Sequence, residues 1–212
     1  EKIIKKMIGI IDYGLGNLSS VYNAFKKETD DVEIFDNPNF TKSYSKIVLP
    51  GVGSFSIGMN FLKKKGWEKE IKNHVTSGKY ILGICLGMQL LFNEGEEDGV
   101  TDGLKIIDGC VKKMKISNNL KLPHVGWNNL LFKKKHQIFD GLKSKVDFYF
   151  VHSYACFVSD ESNILAEFNY GDQNFTACVG KDNVIGTQFH PEKSLPSGLK
   201  LIKNFITLKD YA

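Results

Sequence analysis

The chain has 212 residues, 42% of them hydrophobic, and a formal net charge of +4; this is room for one sizeable α/β domain with its own core and too little for two. All 28 basic residues are lysine, so the forked guanidinium that reads guanine edges or clamps phosphate is missing, which argues against a nucleic-acid partner. No apolar run approaches the length of a membrane span, so no membrane partner is expected either. The short lysine groups, such as 63–65 and 133–135, read as solvated faces and loop tips. The four cysteines, at 85, 110, 156 and 178, include no CxxC pair; neither a metal site nor a disulfide framework is expected, and reduced thiols fit a cytoplasmic protein.

Residues 1–6 precede a methionine and read as a polar leader or tag remnant, leaving 7–212 as the single domain. Met7 to Ile11 is a short apolar run ending in Asp12-Tyr13-Gly14-Leu15-Gly16-Asn17, after which Leu18, Val21, Tyr22 and Phe25 recur at helical spacing. The pattern is strand, glycine-rich turn, helix. Val32–Phe35 and Lys46–Leu49 read as further strands, the second ending in Pro50-Gly51-Val52-Gly53. Helices are expected over 56–65 and 67–77, with Gly78 as a stop before a strand from Lys79. Strands alternating with helices predict an α/β fold: a doubly wound, mostly parallel central sheet with flanking helices. Ligands of such sheets sit beyond the carboxyl ends of the strands, where the turns at 12–17, 50–53 and 83–87 would all lie.

Beyond Glu94 the second half is β-rich: an acidic loop at 94–99, turn signals at Asp102-Gly103 and Asp108-Gly109, and strands over 146–154, 164–168, 175–179 and 184–189. A last helix, 198–208, carries Leu199, Ile202, Phe205 and Ile206 on one face.

The stretch from Lys79 to Phe92 runs an apolar strand into an apolar helix through Gly83-Ile84-Cys85-Leu86-Gly87. A nucleophile at such a junction is pushed out of the sheet, and small flanking residues let backbone and substrate come close. The following helix would favour the thiolate and offer the Leu86 N–H to an oxyanion. A buried core thiol explains the same stretch equally well. His190 breaks the tie, since it ends an apolar strand, is fixed by Pro191 and has Glu192 two residues on; Cys85, His190 and Glu192 make a candidate nucleophile, base and orienter. His74 and His136 read as solvent-facing, and His124 and His152, in aromatic surroundings, as packing or hydrogen-bonding residues.

Gly83 to Gln89 together with Gln188-Phe189-His190-Pro191-Glu192-Lys193-Ser194 resembles the class I, triad-type glutamine amidotransferases, with their flavodoxin-like fold. Four further segments, 12–17, 50–53, Pro123-His124-Val125-Gly126-Trp127-Asn128 and Tyr149 to Tyr154, are similar to the HisH-type glutaminase subunits of imidazole glycerol phosphate synthase. The resemblance implies hydrolysis of L-glutamine through a Cys85 thioester with His190 as base and Glu192 as its support. It also implies an oxyanion hole from Leu86 and the Val52-Gly53 turn, and a glutamine site with Gln89, Ser153 and Tyr154. No cofactor is implied. The expected partner is a (β/α)₈-barrel, HisF-type cyclase, forming a heterodimer that receives ammonia and makes imidazole glycerol phosphate and AICAR in histidine biosynthesis. Asp12, Asn17, Trp127, Asn128, Tyr149 and Lys193 match positions near that interface, Trp127 being placed in a loop. Val125 stands where the resemblance would have Met, an exchange inside an apolar position.

Three other readings remain, one being a triad-like fold that hydrolyses other amides or serves as a non-catalytic subunit. Gly14-x-Gly16-x-x-Ser19 after a strand, with Asp36 after the next, imitates a dinucleotide fingerprint but lacks its third glycine. A paralogous glutaminase subunit supplying ammonia to a sugar amidotransferase for surface polysaccharide would carry the same motifs, because the acceptor is bound by the partner.

Overall fold

The computed structural model describes residues 7–117, 120–143 and 145–209, so residues 1–6, expected to be a leader or tag remnant, and the last three residues of the expected domain lie outside the described residues. The chain opens with β1 (Ile8–Ile11), α1 (Leu18–Lys26) and β2 (Val32–Phe35), then a 3₁₀ turn and β3 (Lys46–Leu49). α2 (Phe55–Lys64) and α3 (Trp67–Thr76) lead to β4 (Tyr80–Ile84) and the short α4 (Leu86–Leu90). The second half holds β5 (Phe92–Gly95), β6 (Thr101–Asp102), β7 (Ile107–Lys113), β8 (His124–Asn129), β9 (Leu131–Phe132), β10 (Asp147–His152) and β11 (Tyr154–Val158). β12 (Ile164–Tyr170), β13 (Gln173–Lys181), β14 (Val184–Thr187) and α5 (Ser197–Thr207) complete it.

The central sheet has eight strands in the order β2-β1-β3-β4-β14-β13-β12-β9. From β2 to β14 every pairing is parallel, and from β14 to β9 every pairing is antiparallel. Every residue of β1, β3, β4 and β14 is buried, which is why these strands read as continuous apolar runs. One apolar cluster packs α1 and α5 on one face through Val21, Phe25, Leu201 and Phe205. The other packs α2 and α3 on the opposite face through Phe55, Met59, Trp67 and Ile71. Asn17 caps α1, its Oδ1 accepting from the Ser20 N–H at 3.3 Å. Gly78, at φ +78°, closes the chain after α3 in a conformation other residues avoid. Of the expected apolar face of α5, Ile202 and Phe205 are fully buried, Leu199 and Ile206 partly, and Leu201 shares the core with them.

Four expectations are corrected at this level. The apolar helix expected to run from Cys85 towards Phe92 stops at Leu90, because the Leu90 and Leu91 carbonyls accept from the backbone of Leu104, Ile106 and Ile107, and Phe92 enters a strand. That segment is buried on every side, so its pattern cannot tell helix from strand. The acidic stretch after Glu94 begins inside β5, part of a separate sheet in the order β11-β7-β5-β6. Trp127 lies in β8, not in a loop: β8 and β10 form a two-stranded ribbon that pairs Trp127 with Tyr149 and His124 with His152. Val125, on the same strand, is 56% exposed rather than inside an apolar position.

Candidate active site

Cys85 sits at φ +54°, ψ −110° between β4 and α4, a backbone state that costs a non-glycine residue about 1–3 kcal/mol. The neighbouring glycines explain how the chain can turn there. A Cβ on Gly83 would stand 2.7 Å from the Gly87 carbonyl oxygen, and one on Gly87 would stand 1.8 Å from that of Leu49. The turn is pinned by the Cys85 N–H donating to the Thr187 carbonyl at 2.7 Å. With only five residues, α4 contributes a first turn of unpaired N–H groups rather than a long dipole, and Leu86 is the first residue of that turn.

The candidate base arrives from the adjacent strand. β14 pairs in parallel with β4, Thr187 opposite Ile84, so the segments leaving both strands emerge at the same end of the sheet. His190 Nδ1 lies 2.7 Å from Glu192 Oε1, and both side chains are buried. Carboxylate at Nδ1 fixes the tautomer with hydrogen there and turns Nε2 towards the sulfur as the proton acceptor. Nε2 has no hydrogen bond of ordinary geometry, yet the sulfur is close enough to act on it electrostatically. Burial disfavours the imidazolium, but Cys85 and Glu192 outweigh burial and raise the ring's pKa to about 10. A ring of that basicity takes the thiol proton ahead of any attack and holds it at neutral pH as the imidazolium.

Backbone bonds hold this base to β10. The His190 N–H donates to the Tyr149 carbonyl at 2.9 Å, the Tyr149 N–H donates to Ser194 Oγ at 2.9 Å, and Ser194 Oγ donates to the His190 carbonyl at 2.6 Å. Ser194 is fully buried, so this closed ring of bonds is shielded from water.

Cys85 opens into a cleft of about 290 Å³. Val52, Gly53, Leu86, Gln89, Ser153, Tyr154 and His190, all singled out from the sequence, line it, while Glu192 stands behind His190. Gln89 Nε2 donates to the Tyr154 carbonyl and to Gln188 Oε1, each at 3.1 Å. Its two donors are thereby used, leaving Oε1 as the acceptor it can offer a ligand. Gln188 Nε2 in turn lies 3.8 Å from Cys85 Sγ.

Sequence reasoning missed four wall residues, Glu97, Pro123, Val151 and His152. Glu97 lay in an acidic run that reads as solvated, but one oxygen accepts from the Phe55 N–H at 2.9 Å and burial raises its pKa. His152 is packed against Phe150 and Phe168, as expected, and is also a wall of the cleft. Its Nδ1 lies 2.8 Å from the Tyr154 carbonyl and its Nε2 lies 3.4 Å from His124 Nδ1. His74, expected at the surface, is buried with Nε2 3.2 Å from the Tyr80 carbonyl. His136, also expected to face solvent, is half-buried and accepts from the Ile138 N–H at 3.1 Å.

The residues expected at a partner surface fall into two groups. Trp127 is 55% exposed, with its ring edge-on to Tyr149 at 5.9 Å, and Lys193 Nζ stands 5.5 Å from the Tyr149 ring centre. Asn128, next to Trp127, donates to the Asn169 carbonyl at 2.7 Å. Asp12 accepts from the Gly14 N–H at 2.9 Å, ordering the turn that Asn17 ends as the cap of α1. α1 packs against the 3₁₀ turn Pro191–Lys193, so the two groups flank the turn that carries Glu192.

A family model described as glutamine amidotransferase class-I matches residues 9–208. The chain belongs to this family. Among relatives of this amidotransferase, the imidazole glycerol phosphate synthase subunit HisH of Sulfurimonas denitrificans is 46% identical over 202 residues, covering 94% of this chain and 97% of that protein. Subunit HisH 1 of Campylobacter jejuni strain RM1221 is 47% identical, covering 95% and 100%. Solved structures with the same fold include PurLQS from Thermotoga maritima, with a TM-score of 0.73 at 19% identity and coverage of 95% and 97%. A glutamine amidotransferase from the same organism gives 0.63 at 17% identity, covering 95% and 83%. The doubly wound fold expected for a class I amidotransferase is thus the fold of its solved neighbours.

Proposed function

We propose that this amidotransferase is the glutaminase subunit of an imidazole glycerol phosphate synthase and that Cys85, His190 and Glu192 are its catalytic residues. The observation that carries the catalytic part is the convergence of an elbow cysteine and a carboxylate-supported imidazole on one cleft. The pathway rests on the HisH relatives, which match nearly full length at 46–47% identity.

In this mechanism His190 Nε2 has already taken the Cys85 proton when Sγ attacks the carboxamide carbon of glutamine. The tetrahedral oxyanion is met by the Leu86 N–H and by an N–H of the Val52-Gly53 turn; one such donor is typically worth roughly 100- to 1000-fold in rate. His190 returns the proton to the leaving nitrogen, releasing ammonia and a thioester. Water, deprotonated by His190, then attacks the thioester, and glutamate departs with the thiol restored. Gln89 Oε1 and the Glu97 carboxylate are acceptors on the cleft wall suited to an amino-acid ammonium.

Ammonia released into water is protonated and lost, so the reading includes a barrel-type cyclase as receiving partner, docked on the rim formed by Trp127, Tyr149 and Lys193 with Asp12, Asn17 and Asn128. The deciding experiment pairs Cys85→Ala with that cyclase and assays synthesis from glutamine and from ammonium chloride. Glutamine-dependent synthesis is expected to disappear and ammonium-dependent synthesis to persist. Loss of both would make Cys85 structural, and failure of the wild-type pair to use glutamine would refute the assignment. Synthesis only with a sugar amidotransferase would move the subunit to the other acceptor.

A further inference from the structure

Tyr13 lies just past β1, after Asp12, and Gly51 and Val52 lie just past β3, its parallel neighbour, so the two segments leave the sheet side by side. The Tyr13 side chain is fully buried, and its hydroxyl has no hydrogen-bond partner among the protein's described groups. Burial and the nearby Cys85 both raise its pKa, so the group remains a neutral O–H. A buried hydroxyl left unpaired costs about 1–3 kcal/mol, and such a group needs a reason.

The surroundings supply one. The hydroxyl presses on the turn expected to supply an oxyanion donor: a Cβ on Gly51 would stand 2.5 Å from the Tyr13 oxygen, 3.0 Å from Leu86 Cβ and 3.2 Å from the Gly87 nitrogen. Phenol, turn and elbow therefore meet at one point. On its other side the turn is free. Val52 is 43% exposed, and Gly53, at φ +104°, has nothing within 4 Å of where a Cβ would be. The turn thus lies between open space and an unused hydrogen-bonding group.

We propose that the Tyr13 hydroxyl is a latch for the Val52-Gly53 turn, bonding a main-chain group of Gly51 or Val52 when the turn swings to aim its N–H at the oxyanion. Tyr13 is a positioning residue: it touches the turn, not the substrate. The inference rests on the glutaminase reading and adds to it the element that holds the active form. In the resting chain the hydroxyl lacks a protein partner; in the working enzyme it gains one, so the latch favours the active turn by about one hydrogen bond.

Tyr13→Phe tests this, because it removes one oxygen and keeps the ring. In the complex with the cyclase, kcat for glutamine is expected to fall ~5- to 30-fold, the effect of one such bond, with KM within about twofold. Unfolding of the free variant is expected at the same temperature as wild type or higher, since an unpaired buried oxygen has gone. Alkylation of Cys85 by iodoacetamide passes through no oxyanion and is expected to keep its wild-type rate. The opposite pattern, lost stability with unchanged kcat, would show a hydroxyl that only supports the fold and would overturn the latch. So would alkylation slowing in step with kcat, which would place the effect on the sulfur. A wild-type complex that does not turn over glutamine would refute the glutaminase reading and the latch with it, whereas a fully active Phe variant would refute the latch alone.

Discussion

At the scale of single residues, the site depends on atoms that leave no room for alternatives. Gly87 packs so closely under Leu49 that Gly87→Ala must displace the β3 backbone. We expect it to cost more than about 4 kcal/mol, the range reserved for severe core errors, with denaturant unfolding as the check; a variant of near-native stability would mean the elbow can shift. Ser194 makes a subtler prediction. Ser194→Ala leaves the Tyr149 N–H unpaired in the interior, costing about 1–3 kcal/mol, and frees the His190 main chain. The expected result is a lower kcat for glutamine with little change in KM, and an unchanged kcat would show that Glu192 alone positions the base. Ser194 was visible in the sequence only as the end of a motif. Its role comes from bonds to a strand 45 positions away, which spacing cannot reveal.

Among the elements, β1, β3 and β4 were legible because each is a largely apolar run closed by a glycine-containing turn, and β14 because its run ends at His190-Pro191. The region from Leu90 to Lys113 was less so: Leu90 to Phe92 are buried all round and carry no period, and β5 pairs with β7 through a register shift that breaks the alternation. The ribbon of β8 and β10 was half-hidden: Gly126, at φ +144°, and the asparagines after Trp127 are poor strand residues, so pairing with β10 rather than propensity makes the strand. α5 is held by a contact equally invisible in sequence, the buried Lys46 Nζ donating to the Ile206 and Leu208 carbonyls at 2.8 and 2.6 Å. Lys46→Met should loosen the end of α5 and lower stability by about 1.5–3 kcal/mol, read by thermal unfolding and by faster amide exchange at 205–208. Unaltered exchange there would refute the anchor.

For the molecule as a whole, buried histidines set the response to acid. Burial lowers His74 from 6.5 to about 4 and His152 from 6.5 to about 3, in each case against a backbone hydrogen bond that raises it. The unfolded chain takes up these protons near 6.5 while the fold refuses them, so stability must fall as pH drops from 6.5 towards 4, by up to about 1.4 kcal/mol per pH unit per ring. His190 works in the opposite sense. Its pKa is raised to about 10, so its contribution is complete below 6.5 and is lost as pH climbs towards 10. Melting temperature against pH should therefore decline on both sides, and Cys85→Ala, which removes one cause of the raised pKa, should soften the alkaline decline. Identical alkaline limbs in the two proteins would contradict this.

The position of β14 has a consequence in time. The strand that leads to His190 is made well after β4, yet it enters the middle of the sheet, between β4 and β13. Until it does, the strand that leads to the thiol has an open edge, and the thiol has no imidazole beside it. A nascent or truncated chain is for that reason prone to pair with other strands. Insertion of four residues, Val184–Thr187, seals the edge and brings the imidazole to the thiol.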